Sequence, residues 1–319
     1  MMGTVYLDRH GLKLGYSNGR LTLAMPGGDK QTLMIGEIEQ IMVLGHVHFS
    51  HDAIAALLRE KIPVVFSNLR GILSGAEGRQ IRLRQRQFDL MRDPSAQLVT
   101  ARALVQAKLR GQARLLRQWK ITVGHEISSH LLASHHCHDL EHLRGHEGAA
   151  ARGFFNGFRE HIGKTRFKFE RRIHHPPPDP VNALLSLAYT LLMNEVEVGV
   201  CAAGLDAAGG FYHASENGRP ALLMDLMEPL RPLADRFSAR LLMGELEPED
   251  FAVEAVACFL RDGRRGLVYK AWEKQLVDTL HWRGEHISWR RLIHLQVREL
   301  AHWLDGRSEA PRFWHLDDP

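Results

Sequence analysis

The sequence predicts an α+β protein in which a small N-terminal β-sandwich domain is followed by a larger all-α domain. Three observations predict it. Up to about Gly75 the apolar residues alternate in short runs rich in branched and aromatic side chains; beyond Gly78 they recur with helical spacing; and 319 residues are enough for two domains. In order, TVYL, LKLGY and RLTLA read as strands. The last two are joined by Ser17-Asn18-Gly19-Arg20, where Asn-Gly supplies the positive φ angles of a tight hairpin turn. QTLMI, QIMVLG and IPVVFS continue the pattern, interrupted by one short helix over Ser50 to Lys61 with Ile54, Leu57 and Leu58 on one face. From Leu98 to Leu116 a helical stripe runs through Ala101, Leu104, Val105, Lys108, Leu109, Gln112 and Leu115, with Arg102, Arg110, Arg114 and Arg117 mostly off it. The run Pro176-Pro177-Pro178-Asp179-Pro180 breaks the chain before a strongly apolar helix starting near Val181. In the tail, Trp272, Trp282, Trp289 and Trp303 are assigned first to the core. The expected organisation is residues 1–78 as the β-domain, 79–95 as a basic link and 96–319 as the helical domain.

Composition removes several classes. Hydrophobic residues make up 45% and charged residues 24%, which excludes disordered, collagen-like and coiled-coil chains. Three cysteines, Cys137, Cys201 and Cys258, lack CxxC spacing, so neither a disulfide framework nor a zinc ribbon is encoded and a reducing cytoplasm is expected. The longest apolar stretch, around Val181 to Met193, is interrupted by Asn182, Ser186 and Thr190 and falls short of the ~18 to 20 residues of a membrane span. No signal-peptide h-region is expected in MMGTVYLDRHG. Net charge is only +4, but its placement is uneven. Between Ile81 and Lys120 stand ten basic residues against two acidic ones, so the remainder is net acidic. Such a concentrated stretch suits a phosphate backbone, and equally a solvated helix face.

Two places could carry chemistry. In LRGHEGAAARGFFNGF, helical spacing puts Glu147 on one stripe with Leu143, Ala150, Ala151, Phe154 and Phe158, facing the interior. A buried carboxylate costs several kcal/mol unless it is paired or binds a metal, and taken alone Glu147 favours an ion pair with arginine. In GGFYH, glycines before His213 and the turn signal Glu216-Asn217-Gly218-Arg219-Pro220 after it place the imidazole at a loop mouth. The following ALLMDLMEPLRP sets Asp225 and Glu228 at i and i+3 on one side of a helical turn. One imidazole with such carboxylates makes a mixed nitrogen and oxygen donor set suited to Mn²⁺ or Mg²⁺. A rival cluster, His125, His130, His135, His136, Cys137, His138, His142 and His146, lacks the paired-cysteine pattern of a structural zinc site and is assigned as a solvated or adventitious metal-binding face. GxxxxGK[ST] and HExxH are absent, and GLDAAGGF is not a dinucleotide fingerprint.

Taken in order, VLGHVHFS and IPVVF, the basic link into ARALVQAKLRGQARLLR, HEGAAARGFF, PPPDPVNALLSLAYTLL, AAGLDAAGGFYH and RPALLMDLMEPLRP resemble the CRISPR-associated endonuclease and integrase family. That family is the catalytic subunit of the spacer-acquisition complex. The resemblance covers about residues 4 to 240. It implies that the helical domain is catalytic, that Glu147, His213 and Glu228 hold a divalent metal (Mg²⁺ or Mn²⁺), and that Asp225 is a further acidic contributor. Members often carry aspartate at the place of Glu228, which leaves the duty of third ligand open between Asp225 and Glu228. The implied reaction is attack by the 3′-hydroxyl of a short foreign DNA fragment on a phosphodiester of the CRISPR repeat, without ATP; with water as nucleophile it becomes endonuclease cleavage. Arg82, Arg84, Arg86, Arg110 and Arg114 would hold the backbone of double-stranded DNA. The resemblance further implies a homodimer formed through the β-domain and a small ferredoxin-like companion protein. Two other classes compete: a catalytically silent DNA-binding or scaffolding homologue, and a zinc-sensing regulator built on the histidine cluster.

Overall fold

The computed structural model describes residues 3–66, 71–73, 81–122, 124–214 and 219–315. The turn residues 216–218, the first part of the expected link at 79–80 and the side chain of His125 lie outside the described residues.

The N-terminal region holds two four-stranded sheets. In one, β1 (Gly3–Leu7), β5 (Ile38–Val43) and β7 (Val64–Phe66) run parallel, with β8 (Gly71–Leu73) antiparallel to β7. In the other, β2 (Leu12–Ser17), β3 (Arg20–Ala24) and β4 (Lys30–Met34) form an antiparallel meander, and β6 (Val47–Phe49) lies parallel to β2. The hairpin falls where the sequence puts it: Asn18 and Gly19 take φ of 50° and 76°, and Ser17 pairs with Arg20. Helix α1 (His51–Arg59) starts on Ser50, whose hydroxyl accepts the Ala53 amide. Leu7, Leu14, Leu21, Ile41, Leu57 and Val64, drawn from both sheets and α1, share one buried cluster.

From Ile81 the chain is predominantly helical, with α2 (Ile81–Leu90), α3 (Pro94–Gln118), α4 (Gly124–Ser134), α5 (Leu140–Ile162), α6 (Pro180–Ala203), α7 (Ala221–Met227), α8 (Arg231–Gly244), α9 (Asp262–Val277) and α10 (Trp289–Leu304). It is not all helix. Two antiparallel hairpins interrupt it, β9 (Phe251–Glu254) with β10 (Ala257–Leu260), and β11 (Thr279–Trp282) with β12 (Glu285–Ser288). Runs of four residues around tight turns, as at Arg283-Gly284 with φ of 50° and 85°, are too short for periodicity to separate from loop. The expected link also carries structure, because α2 buries Leu83 and Gln87 one turn apart. Trp272, Trp282, Trp289 and Trp303 are all buried.

Helix α6, capped by the Asp179 carboxylate on the Asn182 amide and ended by Gly204 at φ 74°, runs on past Met193 to 24 residues. It is the one described helix long and apolar enough to cross a membrane, and 67% of its apolar stretch is buried inside the fold. The two regions meet over Met42, Val65 and Val198, and Tyr6 stacks on Tyr269 with ring centroids 5.1 Å apart. All three cysteines are free.

Candidate active site

Four elements bring the predicted residues together around an amine that the sequence reading left in a core stripe. Lys108 sits midway along α3 on its buried face, and its Nζ ion-pairs with Oε1 of Glu147 from α5 and, at 2.7 Å, with Oε2 of Glu228 just beyond α7. Burial acts to strip the ammonium of its proton, but Glu228 and Glu147 outweigh it and hold the lysine charged. Glu228 is 3% exposed, and its other oxygen accepts from Arg231 Nε at 2.8 Å. Burial would raise its carboxyl, yet Arg231 and Lys108 pull it well below the usual carboxylate range. Lys108 Nζ is thus shared between Glu147 and the second Glu228 oxygen.

His213 enters from the loop after α6. Its Nε2 lies 3.9 Å from Glu228 Oε1, and its Nδ1 lies 2.7 Å from Asp225 Oδ1. An ionised carboxylate there requires Nδ1 to carry a proton, and Nε2 is the ring nitrogen turned to Glu228. Asp225 is 1% exposed and takes four donors: the amides of Phe211 (2.6 Å) and Tyr212 (3.0 Å) on one oxygen, the amide and ring of His213 on the other. Its carboxylate is thus turned to the loop and away from Glu147. Of the two acids left open by the sequence, Glu228 shares the Lys108 partner with Glu147, and Asp225 orients the imidazole.

The loop itself is splinted by residues the sequence reading did not single out. Gln87 of α2 donates to the carbonyls of Asp206 and Gly209, both at 2.8 Å, and accepts the Asp206 amide at 2.9 Å. A Cβ at Gly209 would come within 2.5 Å of Gln87 Nε2, and one at Gly210 within 2.7 Å of the Ala221 Cβ, so glycine alone fits this approach. Arg144, one turn before Glu147, donates to the Tyr212 carbonyl at 2.6 Å. The signal for Lys108 and Gln87 was in the sequence, as polar groups on apolar helical stripes.

The arginines predicted to bind DNA are not at this cluster. Arg82, Arg84 and Arg86 project from exposed positions of α2, and Arg84 Nε caps the Gly204 carbonyl at the end of α6. Arg110 lies two residues beyond Lys108, about 200° around the helix, and reaches His315 Nε2 at 3.2 Å; Arg114 is exposed further along α3. Among the described residues no group of three or more His, Cys, Asp or Glu side chains is arranged as a metal cage. That holds for Glu147, His213 and Glu228, whose carboxylates converge on Lys108, and for the histidine-rich stretch. There, His130 and His146 meet in a pair with Nδ1 atoms 3.1 Å apart, and His142 bonds Asp139.

The profile of CRISPR associated protein Cas1 matches residues 5–274. A CRISPR-associated endonuclease Cas1 of Thermus thermophilus is 33% identical over 98% of this chain and 99% of its own length. A Cas4/Cas1 exonuclease–endonuclease fusion of Rhodospirillum rubrum is 34% identical over 98% of the chain, which spans 57% of that fusion. In fold, a casposase bound to its integration product superposes with a TM-score of 0.87 over 100% of this chain and 94% of that one, at 22% identity. A Cas1 protein from Thermotoga maritima gives 0.84 over 95% and 97%, also at 22%. With the profile spanning most of the chain and a relative matched end to end at this identity, the chain belongs to the Cas1 family of CRISPR-associated proteins.

Proposed function

We propose that the chain is a metal-dependent DNA endonuclease and integrase that inserts short foreign DNA into a CRISPR array. The observation that carries this reading is that Glu147 and Glu228 share Lys108 while His213, its ring held from behind by Asp225, stands beside Glu228. The donor set fits a divalent cation. Two carboxylates and an imidazole nitrogen make a mixed oxygen and nitrogen donor set of the kind Mg²⁺ or Mn²⁺ takes. Glu147, His213 and Glu228 would hold the ion, which when bound supplies Lewis-acid polarisation of the scissile phosphodiester. The chain's own residues do the rest. Asp225 keeps the His213 ring in one tautomer and orientation; Arg231 fixes Glu228; Lys108, paired to both acids, is a cation positioned to follow negative charge when phosphate approaches. In the proposed exchange the incoming 3′-oxygen forms the new P–O bond as the repeat strand's 3′-oxygen leaves; with water as nucleophile the same substitution is cleavage.

The named relatives support the reading by what they are called, an endonuclease in Thermus thermophilus and a casposase with its integration product. A solved neighbour, with a TM-score of 0.81 at 19% identity, is part of a Cas6-RT-Cas1–Cas2 complex, and assembly of this chain with a small ferredoxin-like companion belongs to the proposal. Homodimerisation through the two N-terminal sheets, packed as a sandwich, and work in the cytoplasm complete the proposal. Arg82, Arg86 and Arg114, exposed along α2 and α3, would carry duplex backbone.

A silent DNA-binding homologue has one observation in its favour: Lys108 already ion-pairs with both carboxylates. A half-site integration assay with Mn²⁺, Mg²⁺ or chelator decides between them. Glu147→Gln and His213→Ala should each cut strand transfer at least about a thousandfold, as losing a metal ligand does to metal-ion catalysis, with duplex binding nearly unchanged. Strand transfer that persists in both variants, or in chelator, overturns the assignment.

A further inference from the structure

On the side of α3 turned from Lys108, a cavity of about 380 Å³ opens between α3, the β11–β12 turn and the C-terminal segment at residues 311–315. Its polar lining is made of basic side chains, His315 and the Gln106 amide. Arg110, paired with His315 at 3.2 Å, Arg283, ion-paired with Glu299 at 2.9 Å, and Arg312 bring three guanidinium groups to it, and among the described residues no carboxylate lines it. Two neutral donors are spare: the Gln106 amide Nε2 and the Trp314 indole Nε1 are buried in its wall without a hydrogen-bond partner among the described residues. Trp314 is 3% exposed and firmly held. Its backbone amide donates to Gln296 Oε1 at 2.7 Å, and its ring meets Trp289 edge-on at 5.1 Å. A buried donor left unmatched in an otherwise well-anchored ring requires an explanation, and an acceptor brought by a ligand supplies one.

The cations sit at the mouth. Arg283 takes φ of 50° in the β11–β12 turn, lies over the Trp282 ring at 4.3 Å and is half exposed. Arg312 is exposed, whereas Ala103, Ala107, Pro311 and Phe313 give the wall its apolar part. A cationic rim, an apolar wall and two neutral donors within match one ligand chemistry: a phosphate joined to a heterocycle rich in carbonyl and ring-nitrogen acceptors. The space is several times that of inorganic phosphate and sufficient for one nucleotide.

We propose that this cavity is a nucleotide-binding site, in which the arginines take the phosphate and Gln106 and Trp314 donate to the base. Two sources offer that chemistry, a free mononucleotide or the terminal nucleotide of a single DNA strand; the second rests on the function proposed above and the first does not. Calorimetric titration of the full chain, in chelator so that no turnover enters the reading, separates them. The probes are dTMP, thymidine, inorganic phosphate and a 5′-phosphorylated single-stranded oligothymidylate.

One-to-one binding of dTMP or of the oligonucleotide is expected, at least about tenfold tighter than thymidine or phosphate. Gln106→Leu and Trp314→Phe, which keep bulk and remove one donor each, should each weaken it about tenfold. Binding of the oligonucleotide alone assigns the site to strand ends. The proposal is overturned if neither nucleotide probe saturates, if thymidine or phosphate binds as well as dTMP, or if Gln106→Leu, with an unchanged melting curve, binds as the parent does. Because the titration reads binding alone, a chain inactive in strand transfer still tests the cavity.

Discussion

Two buried charge clusters in this molecule are each built around a pair of glutamates and finished differently. At the seam between the N-terminal sheets and the helices, Arg290 of α10 is 6% exposed at its side chain. It donates from Nε and Nη2 to both oxygens of Glu195 (3.0 and 3.2 Å), and from Nη2 to Glu273 Oε1 (2.7 Å) and Thr4 Oγ1 (2.9 Å). Gln40 adds a donor to Glu195 at 2.7 Å, and Tyr6 one to Glu273 at 2.7 Å. Nothing in that cluster is left over. In the Lys108 cluster, one ammonium spans Glu147 and Glu228, Arg231 reaches Glu228 through Nε, and His213 Nε2 stands 3.9 Å from Glu228 Oε1. The difference separates a lock from a candidate site: one guanidinium fork spans both oxygens of Glu195, whereas Glu228 is balanced by an ammonium shared with Glu147 and by the Arg231 Nε.

The sharpest way to break that contrast is at the lock. Arg290→Met would leave Glu195, 0% exposed, without its cation, and should cost about 3–5 kcal/mol in urea or thermal unfolding. Adding Glu195→Leu should restore much of it, because a matched apolar pair carries no desolvation penalty. If Arg290→Met melts like the parent, the seam is not a lock and the comparison fails.

Lys108→Met tests the other cluster by sign. It leaves Glu147 and Glu228 facing each other with less positive charge between, at a cost of about 2–4 kcal/mol. Unlike the lock, this loss should be repaired from solution. Millimolar Mn²⁺ should raise the variant's melting temperature more than the parent's, since a cation that binds only the folded state stabilises it by mass action. Equal shifts in the two proteins would mean that the carboxylates offer no place to a cation.

How much of this was visible in the sequence depends on the length scale over which the signal is written. The β-to-helix change, the Asn18-Gly19 hairpin, the start of α6 at Asp179 and the buried tail tryptophans are local, and each was legible in a window of a few residues. The stripe through Lys108 was legible too, but not what the ammonium meets, since Glu147 and Glu228 are brought to it by α5 and α7 from far along the chain. Asp225 and Glu228 look equivalent at i and i+3; only the path of the 206–213 loop decides that one faces backbone amides and the other Lys108. The hairpins β9–β10 and β11–β12 were missed because four-residue strands carry too little period.

Asp225 gives a smaller effect confined to activity. Asp225→Asn keeps an acceptor for part of the loop but offers an NH₂ where either a backbone amide or His213 now donates, so the ring loses its fixed tautomer. Strand transfer should fall about 10- to 100-fold, in line with outer-shell partners of metal-binding histidines, with melting little changed. Parent-like activity would detach Asp225 from the imidazole's orientation.

The smallest expected effect lies just behind the site and is a matter of pH. Asp235 is 0% exposed, and burial pushes its carboxyl up to about 6 even though the Tyr189 hydroxyl at 2.5 Å and Arg231 act to lower it; its second oxygen has no partner among the described residues. A carboxyl whose folded value lies above its unfolded value of about 3.9 binds its proton more tightly in the fold. Its contribution to stability is therefore complete below about pH 4 and is lost as pH rises through about 6. Two units of displacement set a ceiling near about 3 kcal/mol, and an asparagine would bring its own unmatched amide, which offsets part of the gain. Asp235→Asn should thus stabilise the chain by about 1 kcal/mol at pH 7.5 and not at pH 4, as read from melting curves of parent and variant. A gain of the same size at both pH values would mean that Asp235 is ionised alike in the folded and unfolded chain, and that its neighbours balance its burial as fully as Arg290 balances Glu195.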